Sequence, residues 1–302
     1  MSVFVSTQPR LAVTLGEGGQ PFEIGLPVLA GEPVEQIFPH ARPVGRRGAL
    51  TLFQAGMWLL GAAKVDIRPG LEHAARQLYG DILDASRQLH LARIWNYVPD
   101  INAAGPAGLE NYRAFCRGRS LAFEAHFGAS FRQQLPAASA VGCHDGALTV
   151  IFAATPQAPR HLENPLQVPA YDYPPEHGPR PPSFARATVV PAPAGPTVFI
   201  SGTAAIRGHA TIAPGDLAHQ LDCTLENLRE ISRACGLGPD LAAGPRRTRH
   251  FKVYLRHPAD LAATAAFLHE HLLRPDDRVC YVQADICRAS LCVEIEATLI
   301  PG

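Results

Sequence analysis

The chain is nearly without lysine, since Lys64 and Lys252 are its only two. Arginine therefore supplies almost all of the positive charge. Lys+Arg and Asp+Glu both total 27, so no net charge attracts nucleic acid or an anionic membrane. No apolar run reaches the roughly 18 residues of a transmembrane helix. The start, MSVFVSTQPR, lacks the basic and apolar segments of a secretory signal. We therefore expect a cytoplasmic protein with no nucleic-acid or membrane partner.

Several chemical motifs are also missing. The seven cysteines form no CxxC pair, which favours reduced thiols over disulfides or a zinc site. The segment FLHEH (267–271) lacks the spacing of a helical zinc pair, and no GxSxG serine motif occurs. Neither a phosphate-loop lysine nor the spaced glycines of a dinucleotide site is present. The sequence therefore predicts no metal and no cofactor.

The pattern of apolar residues divides the chain into two similar halves. In each half the periodicity predicts the order strand–helix–strand–helix–strand–strand. The predicted helices lie at 71–89, 109–127, 216–235 and from Pro258 onward, and the predicted strands lie at 91–97, 138–142, 147–154, 197–201, 250–255, 279–284 and 291–300. The pattern indicates an α+β fold of two repeats, each a mixed β-sheet with two helices packed on one face.

The predicted domains are an N-terminal repeat (1–155), a proline-rich linker (156–196) and a C-terminal catalytic repeat (197–302). The linker is long, and it contains two tyrosines and the run GPRPPSFAR. A connection of this length in a compact protein is usually functional or disordered, and its aromatic residues favour packing against the site. Short apolar signals at 11–15 and 22–29 are expected to extend the first sheet.

The last strand repeats an earlier one with two acids added. Residues 290–298 (SLCVEIEAT) align with residues 147–155 (ALTVIFAAT), so Glu294 falls on Ile151 and Glu296 on Ala153. Side chains alternate along a strand, and both glutamates therefore share one face. Paired carboxylates on a buried face suit acid–base chemistry, because one raises the pKa of the other. The alternative is the solvated face of an antiparallel sheet.

Cys287 and Gly202 are the next candidates. Cys287 lies seven residues before Glu294, and a tight turn between them can bring both side chains to one pocket. The simpler interpretation is a cysteine that only packs in the core. Gly202, in SGTAAIRGH (201–209), allows a ligand or another chain segment to approach closely. An ordinary glycine-rich turn would have the same composition.

Three arginines are candidates for binding an anion. Arg256 ends the strand FKVYLR, whose alternation places it on one face with Lys252 and Tyr254. Arginine on an otherwise apolar strand requires either an ion pair or an anionic ligand. Arg180 and Arg186 in the linker are similar candidates, and for them a solvated side chain is the alternative.

The C-terminal part, 183–302, resembles the RidA (YjgF) superfamily. Over nearly the whole chain, the motifs IWNYVPDIN (94–102), YDYPPEHGPRPPSFARA (171–187), SGTAAIRGH, FKVYLR and ADICRASLCVEIE (284–296) together resemble the chorismatase family. The resemblance implies two repeats like those of RidA and chorismate mutase. It also implies a cofactor-free enzyme that releases pyruvate from chorismate.

The resemblance further implies roles for single residues. Glu294 is the expected catalytic acid, made a protonated acid at neutral pH by burial beside Glu296. Arg186 and Arg256, with Arg180 as a further candidate, are expected to bind the substrate carboxylates, and Tyr173 and Tyr254 to pack its ring. Glycine at 202 and cysteine at 287 match the family members that form 3-hydroxybenzoate, alone or with 4-hydroxybenzoate.

Other functions remain open at this point. Hydrolysis of chorismate to a dihydroxycyclohexadiene carboxylate uses the same first step. A RidA-type enamine or imine hydrolase would ignore chorismate, and a non-enzymatic anion-binding protein would bind without turnover. The sequence also leaves open a monomer or a RidA-like homotrimer.

Overall fold

The computed structural model describes residues 8–15, 22–38, 40–105, 108–244 and 246–302. Within these ranges it contains seventeen strands and four α-helices. The strands are β1 (Arg10–Val13), β2 (Phe22–Gly31), β3 (Val34–Glu35), β4 (Arg42–Arg47), β5 (Leu50–Ala55), β6 (Trp58–Asp66), β7 (His90–Pro99), β8 (Ala137–Cys143), β9 (Ala147–Thr155), β10 (Arg160–Leu162), β11 (Ala187–Val190), β12 (Thr197–Thr203), β13 (Ile206–Arg207), β14 (Ala210–Thr211), β15 (Arg247–Leu255), β16 (Arg278–Gln283) and β17 (Val293–Pro301). The helices are α1 (Leu71–Ala85), α2 (Asn111–Phe127), α3 (Leu217–Ala234) and α4 (Leu261–His271).

The two halves repeat one sheet pattern. In the first half the strands are ordered β6-β9-β7-β8, and in the second β12-β17-β15-β16. In both halves the strand that comes last in sequence, β9 or β17, is antiparallel to both of its neighbours. The strand at the end of each order, β8 or β16, is parallel to its neighbour. The predicted α+β class and the repeated order of elements are therefore confirmed.

The sheets pack face to face, with a helix pair outside each. Alternation along β7 shows the layering, since Ile94 and Val98 pack in the core under α1 and α2, while Trp95 and Tyr97 point to the other sheet. In β17, Val293 and Ile295 pack in the core under α3 and α4. Glu294 and Glu296 therefore point into the layer between the sheets, where both are buried.

Helix α3 illustrates how local sequence sets the element bounds. The Asp216 side chain accepts a hydrogen bond from the His219 backbone N–H at 3.2 Å, which caps the start of the helix. The apolar stripe Leu221, Leu225, Leu228 and Ile231 is buried. The helix ends before Gly236, which adopts a φ of 77°.

The prediction that the N-terminal strands extend the first sheet is wrong. Strands β1, β2 and β3 instead join the nine-stranded sheet of the second half, where β2 pairs with β16. The corresponding edge strand of the first sheet is β8, and it is hydrogen-bonded to the second half. The Ala138 N–H donates to Ser201 Oγ at 2.9 Å, and the Gly142 N–H donates to the Asp285 carbonyl at 2.7 Å. Strands β4, β5 and β6, whose positions the sequence analysis did not give, complete the six-stranded first sheet.

The linker 156–196 is ordered along the second half. It contains β10 and β11, which extend the nine-stranded sheet, and short 3-10 turns at Ala170–Asp172 and Pro175–His177. No helix within the described ranges is long and apolar enough to cross a membrane. The prediction that the segment MSVFVSTQPR is not a secretory signal falls partly on residues 1–7, which lie outside the described residues.

Candidate active site

A cavity of about 230 Å³ lies between the two halves and is covered by the linker. Helix α2 and strand β8 of the first half form one side, and β12, β17 and the turn before β17 form the other. Its lining includes Arg119, Tyr173, His177, Arg186, Gly202, Cys287 and Glu294. The cavity therefore depends on both repeats and the linker together.

Glu294 is the acidic residue of this cavity with the most altered ionisation. Its side chain lies on β17 and the residue is 4% exposed. Burial, and next the charge of Glu296, raise the pKa of Glu294 to about 8, against smaller opposing effects of Arg93 and Arg186. Glu294 therefore carries a proton at neutral pH, as a general acid must.

Glu296, two residues along the same strand, has the opposite ionisation. Its oxygens accept hydrogen bonds from Arg93 Nη2 at 2.7 Å, Trp95 Nε1 at 2.9 Å, Lys252 Nζ at 3.1 Å and Tyr254 Oη at 3.2 Å. Burial opposes ionisation, but Lys252 and Arg93 outweigh it and lower the pKa of Glu296 to about 2. Two neighbouring carboxyl groups thus differ in ionisation, with Glu296 charged and Glu294 protonated at neutral pH.

Lys252 connects this network to the N-terminal strands. Its Nζ lies 3.1 Å from Glu296 and 2.5 Å from Glu35 Oε2 on β3, and its side chain is 2% exposed. Burial disfavours the ammonium, but Glu296 and Glu35 more than compensate and raise the pKa of Lys252 well above its usual value. A charged lysine is therefore held inside the protein, where it keeps Glu296 ionised.

Two arginines give the cavity its positive side. Arg119 on α2 is 1% exposed, and its Nε and Nη2 have no hydrogen-bond partner among the described residues. Arg186 donates from Nη2 to Tyr173 Oη at 2.7 Å, while its Nε likewise lacks a partner within those ranges. Buried guanidinium groups with unused donors are suited to binding a carboxylate.

Cys287 lies in the same cavity as a neutral thiol. Burial, and next the nearby Glu294, raise the pKa of Cys287 to about 12. A thiol with so high a pKa is a poor nucleophile at neutral pH. Cys287 is therefore suited to shaping the cavity rather than to attacking a ligand.

Gly202 on β12 faces the Glu294 carboxyl group directly. A Cβ atom at this position would lie 1.9 Å from Glu294 Oε1 and 2.6 Å from its Cδ. Any larger residue must displace the carboxyl group. The close approach that the sequence suggested for Gly202 is therefore to the Glu294 side chain of the same chain.

Replacing Gly202 by alanine is expected to lower kcat about 100-fold if Glu294 donates a proton, because even a small displacement of an acid from its acceptor slows proton transfer strongly. The free energy of unfolding should change by about 1–3 kcal/mol, as for other overpacked sites. Steady-state kinetics and urea unfolding would measure the two effects. Gly80→Ala is the matched control, since a Cβ there meets open space. A Gly202→Ala enzyme as active as this control would contradict the assignment.

The cavity contains five of the nine predicted site residues, namely Glu294, Cys287, Gly202, Arg186 and Tyr173. The other four lie outside its lining. Tyr254 and Glu296 face the same layer but are bonded to each other within the buried network at 3.2 Å. Arg180 pairs with Glu124 on α2 at 2.9 Å.

Arg256 does not face the cavity because β15 ends at Leu255 and the chain then leaves the sheet. Its guanidinium pairs with Asp285 and donates to the carbonyl groups of Leu291 and Arg288 at 2.8 and 3.0 Å. These contacts hold the turn that carries Cys287. Arg256 therefore stabilises this turn and does not line the cavity in which the sequence predicted it to bind substrate.

The sequence interpretation missed Arg119 and Arg93. Arg119 follows Phe115 by one helical turn, and so lies on the buried side of α2, where Ser120 is the other polar residue. Arg93 stands within the buried strand HLARIWNYVP. A charged residue at an apolar position of a periodic pattern was the available signal in both cases.

A buried protonated carboxyl group and buried arginines with unused donors line one cavity of a two-repeat α+β fold, an arrangement suited to acid–base chemistry on an anionic compound. A family model described as "Chorismatase FkbO/Hyg5-like, N-terminal" matches residues 38–154. A 3-hydroxybenzoate synthase of Streptomyces hygroscopicus is 35% identical over 95% of this chain and 87% of its own. The chain belongs to the chorismatase family.

Two further similarities extend over most of the chain. A chorismatase of Streptomyces rapamycinicus is 37% identical over 80% of this chain and 74% of its own length. The crystal structure of a chorismatase aligns with a TM-score of 0.78 and 30% identity, covering 99% of this chain and 95% of that one. Both the predicted family and the predicted fold are therefore confirmed.

Proposed function

We propose that this enzyme releases pyruvate from chorismate and forms 3-hydroxybenzoate, with Glu294 as the proton donor. The observation that carries the proposal is a buried carboxyl group, facing the cavity, whose pKa is raised to about 8. The 3-hydroxybenzoate synthase relative, 35% identical over 95% of this chain, supports the product. The neutral thiol of Cys287 and the absence of a side chain at Gly202 support the same branch of the family.

The first step is protonation of carbon. Chorismate contains an enol ether, and a proton from Glu294 adds to its methylene carbon, which becomes the methyl group of pyruvate. The ether carbon is left as an oxocarbenium ion. The ionised Glu296 is held by Arg93, Lys252, Trp95 and Tyr254, so it does not compete for the proton. Its negative charge keeps the proton on Glu294 until the substrate takes it.

The second step sets the product. When the ring carbon–oxygen bond breaks, the ether oxygen leaves as the ketone oxygen of pyruvate. The neighbouring ring hydroxyl oxygen forms a bond to the carbon that the ether oxygen leaves, and its bond to its original carbon then breaks, so that it becomes the phenol oxygen. The ring loses one proton in total on aromatisation. That proton restores the acid, so no net water is consumed. Attack of water on the oxocarbenium carbon would instead yield a dihydroxycyclohexadiene carboxylate.

Two carboxylates of chorismate require positive partners in the cavity. The unused donors of Arg119 and Arg186 are suited to them, as each guanidinium can bind a carboxylate through two parallel hydrogen bonds. Arg186 is only weakly neutralised, since its Nε lies 4.0 Å from Glu163 Oε2. Burial moreover raises the pKa of Glu163 to about 7, against the opposing effect of Arg186. Tyr173, fixed by its bond to Arg186, can pack beside the ring.

The test is a coupled pyruvate assay on purified protein with chorismate, followed by chromatography of the ring product. We expect one pyruvate per hydroxybenzoate formed, with 3-hydroxybenzoate as the main product. Pyruvate accompanied by a dihydroxycyclohexadiene carboxylate would keep the acid step and overturn the product assignment. Absence of pyruvate would overturn the proposal. Ammonia release from an imine or stabilisation by chorismate without turnover would then point to the hydrolase or the binding protein.

Replacing Cys287 by alanine is expected to change the product mixture more than the rate. The thiol fills the cavity beside Glu294, and its removal leaves room for water, which favours the hydrolytic product or a different hydroxybenzoate. Pyruvate release should fall less than about tenfold, because the acid remains in place. Cys280→Ala, outside this cavity, serves as the control. An unchanged product ratio in Cys287→Ala would remove Cys287 from product control.

A further inference from the structure

Three side chains that can bind a metal ion meet at the rim of the cavity. Glu176 and His177 lie in the 3-10 turn Pro175–His177 of the linker, and His209 lies in the turn between β13 and β14. His177 Nε2 is 3.0 Å from His209 Nδ1, and Glu176 Oε1 lies 3.5 Å from His209 Nδ1 and 3.7 Å from His177 Nε2. The three atoms thus form a nearly equilateral triangle.

The size of this triangle fits one face of a tetrahedron around zinc. Zinc binds histidine nitrogen and carboxylate oxygen at about 2.0–2.2 Å, which places two ligands of a tetrahedral ion about 3.3 Å apart. The observed separations of 3.0, 3.5 and 3.7 Å bracket this value. Two imidazoles and one carboxylate also make up a known zinc ligand set.

The surroundings keep the two imidazole rings in place. The Tyr173 ring packs against His177 with centroids 5.1 Å apart and against His209 at 6.4 Å. Tyr173 is itself fixed by Arg186, and the linker is bonded to the hairpin turn through Val168 N–H and the Gly208 carbonyl at 2.9 Å. The ligands therefore stand on two segments that are already joined, so binding an ion requires little rearrangement.

We propose that Glu176, His177 and His209 form a binding site for a divalent first-row metal ion of the zinc class, which fastens the linker to the β13–β14 turn at the rim of the cavity. The fourth coordination position is left to water or another small ligand. Since Glu176 and His177 are adjacent and His209 comes from a separate turn, the site has no helical spacing. For this reason a search of the sequence for CxxC pairs and helical histidine pairs does not detect this site.

The test uses Co²⁺ as a spectroscopic probe on the full chain after dialysis against a chelator. We expect one equivalent to bind with the strong visible absorption of four-coordinate cobalt, and Zn²⁺ to displace it. His209→Ala and Glu176→Gln should each weaken Co²⁺ binding at least tenfold. Neither residue lines the cavity, so both variants are expected to fold and can be checked by circular dichroism.

His219→Ala is the matched control. His219 lies 2.7 Å from Asp216, which makes a partly exposed histidine–carboxylate pair with no third ligand found among the described residues. Loss of binding in His209→Ala but not in His219→Ala would support the site. Equal binding by wild type and His209→Ala, weak absorption typical of six-coordinate cobalt, or no binding by the wild type would each overturn it. These readouts do not depend on the reaction catalysed.

Discussion

Replacing Glu294 by glutamine is expected to lower the rate of pyruvate release by about 10³-fold, within the range found for removal of a general acid. Glutamine has nearly the same shape as a protonated glutamate but no proton of comparable acidity to give to carbon. Because the pKa of Glu294 is raised to about 8, the native residue is already neutral at pH 7. The free energy of unfolding should therefore change by less than about 1 kcal/mol.

The control for this variant is Glu270→Gln, on the exposed side of α4, which should have wild-type kinetics. Single-turnover measurement with excess enzyme separates the chemical step from product release. A Glu294→Gln enzyme that is folded, binds chorismate and retains more than about a tenth of the wild-type rate would remove Glu294 from the acid role, since general acids contribute about 10²-fold or more.

Replacing Lys252 by methionine is expected to lower the free energy of unfolding by about 3–5 kcal/mol, the usual loss when one partner of a buried ion pair is removed. Methionine preserves most of the volume but leaves Glu296 with Arg93 as its remaining charged partner and removes the ion pair of Glu35. The charge of Glu296 is then stabilised less, and its pKa rises. Urea unfolding at pH 7 measures the change.

The only other lysine provides the control. Lys64 lies 2.6 Å from Asp145, whose side chain is 13% exposed, but the Lys64 side chain is itself 39% exposed, so its charge is partly solvated. Lys64→Met should change the free energy of unfolding by about 0–1 kcal/mol. Similar losses in the two variants would contradict the view that the Lys252 network is a buried element of the fold.

The elements with a clear period were predictable from the sequence. The helical stripe of α3 and the alternation of β17 each specify which side chains are buried. The alignment of the last strand with its earlier copy singles out Glu294 and Glu296 together, and only the family resemblance distinguishes between them. Alternation also placed Lys252 and Tyr254 on one face, and both do point into the layer between the sheets. Such local patterns predict which side chains are buried, because the regular repeat of a helix or strand determines the direction of each side chain.

Contacts between distant segments were not predictable in the same way. Arg256 lies one residue beyond the end of β15, where alternation no longer determines direction, and its partners are Asp285 and carbonyl groups of a turn. The pairing of β2 with β16 joins segments about 250 residues apart, which no local pattern specifies. The position of Arg119 in the same cavity as Glu294 likewise depends on how the two repeats pack together.

The protonation state of Glu294 is tested most directly by ¹³C NMR of protein labelled at the glutamate carboxyl carbons. The Glu294 resonance is identified as the one missing from Glu294→Gln. We expect this carboxyl group to be protonated at pH 7 and to lose its proton as the pH rises through about 8, because burial and the charge of Glu296 both disfavour its anion. A resonance that has already shifted to the carboxylate position at pH 7, with its transition near the ordinary value of about 4.3, would contradict the account.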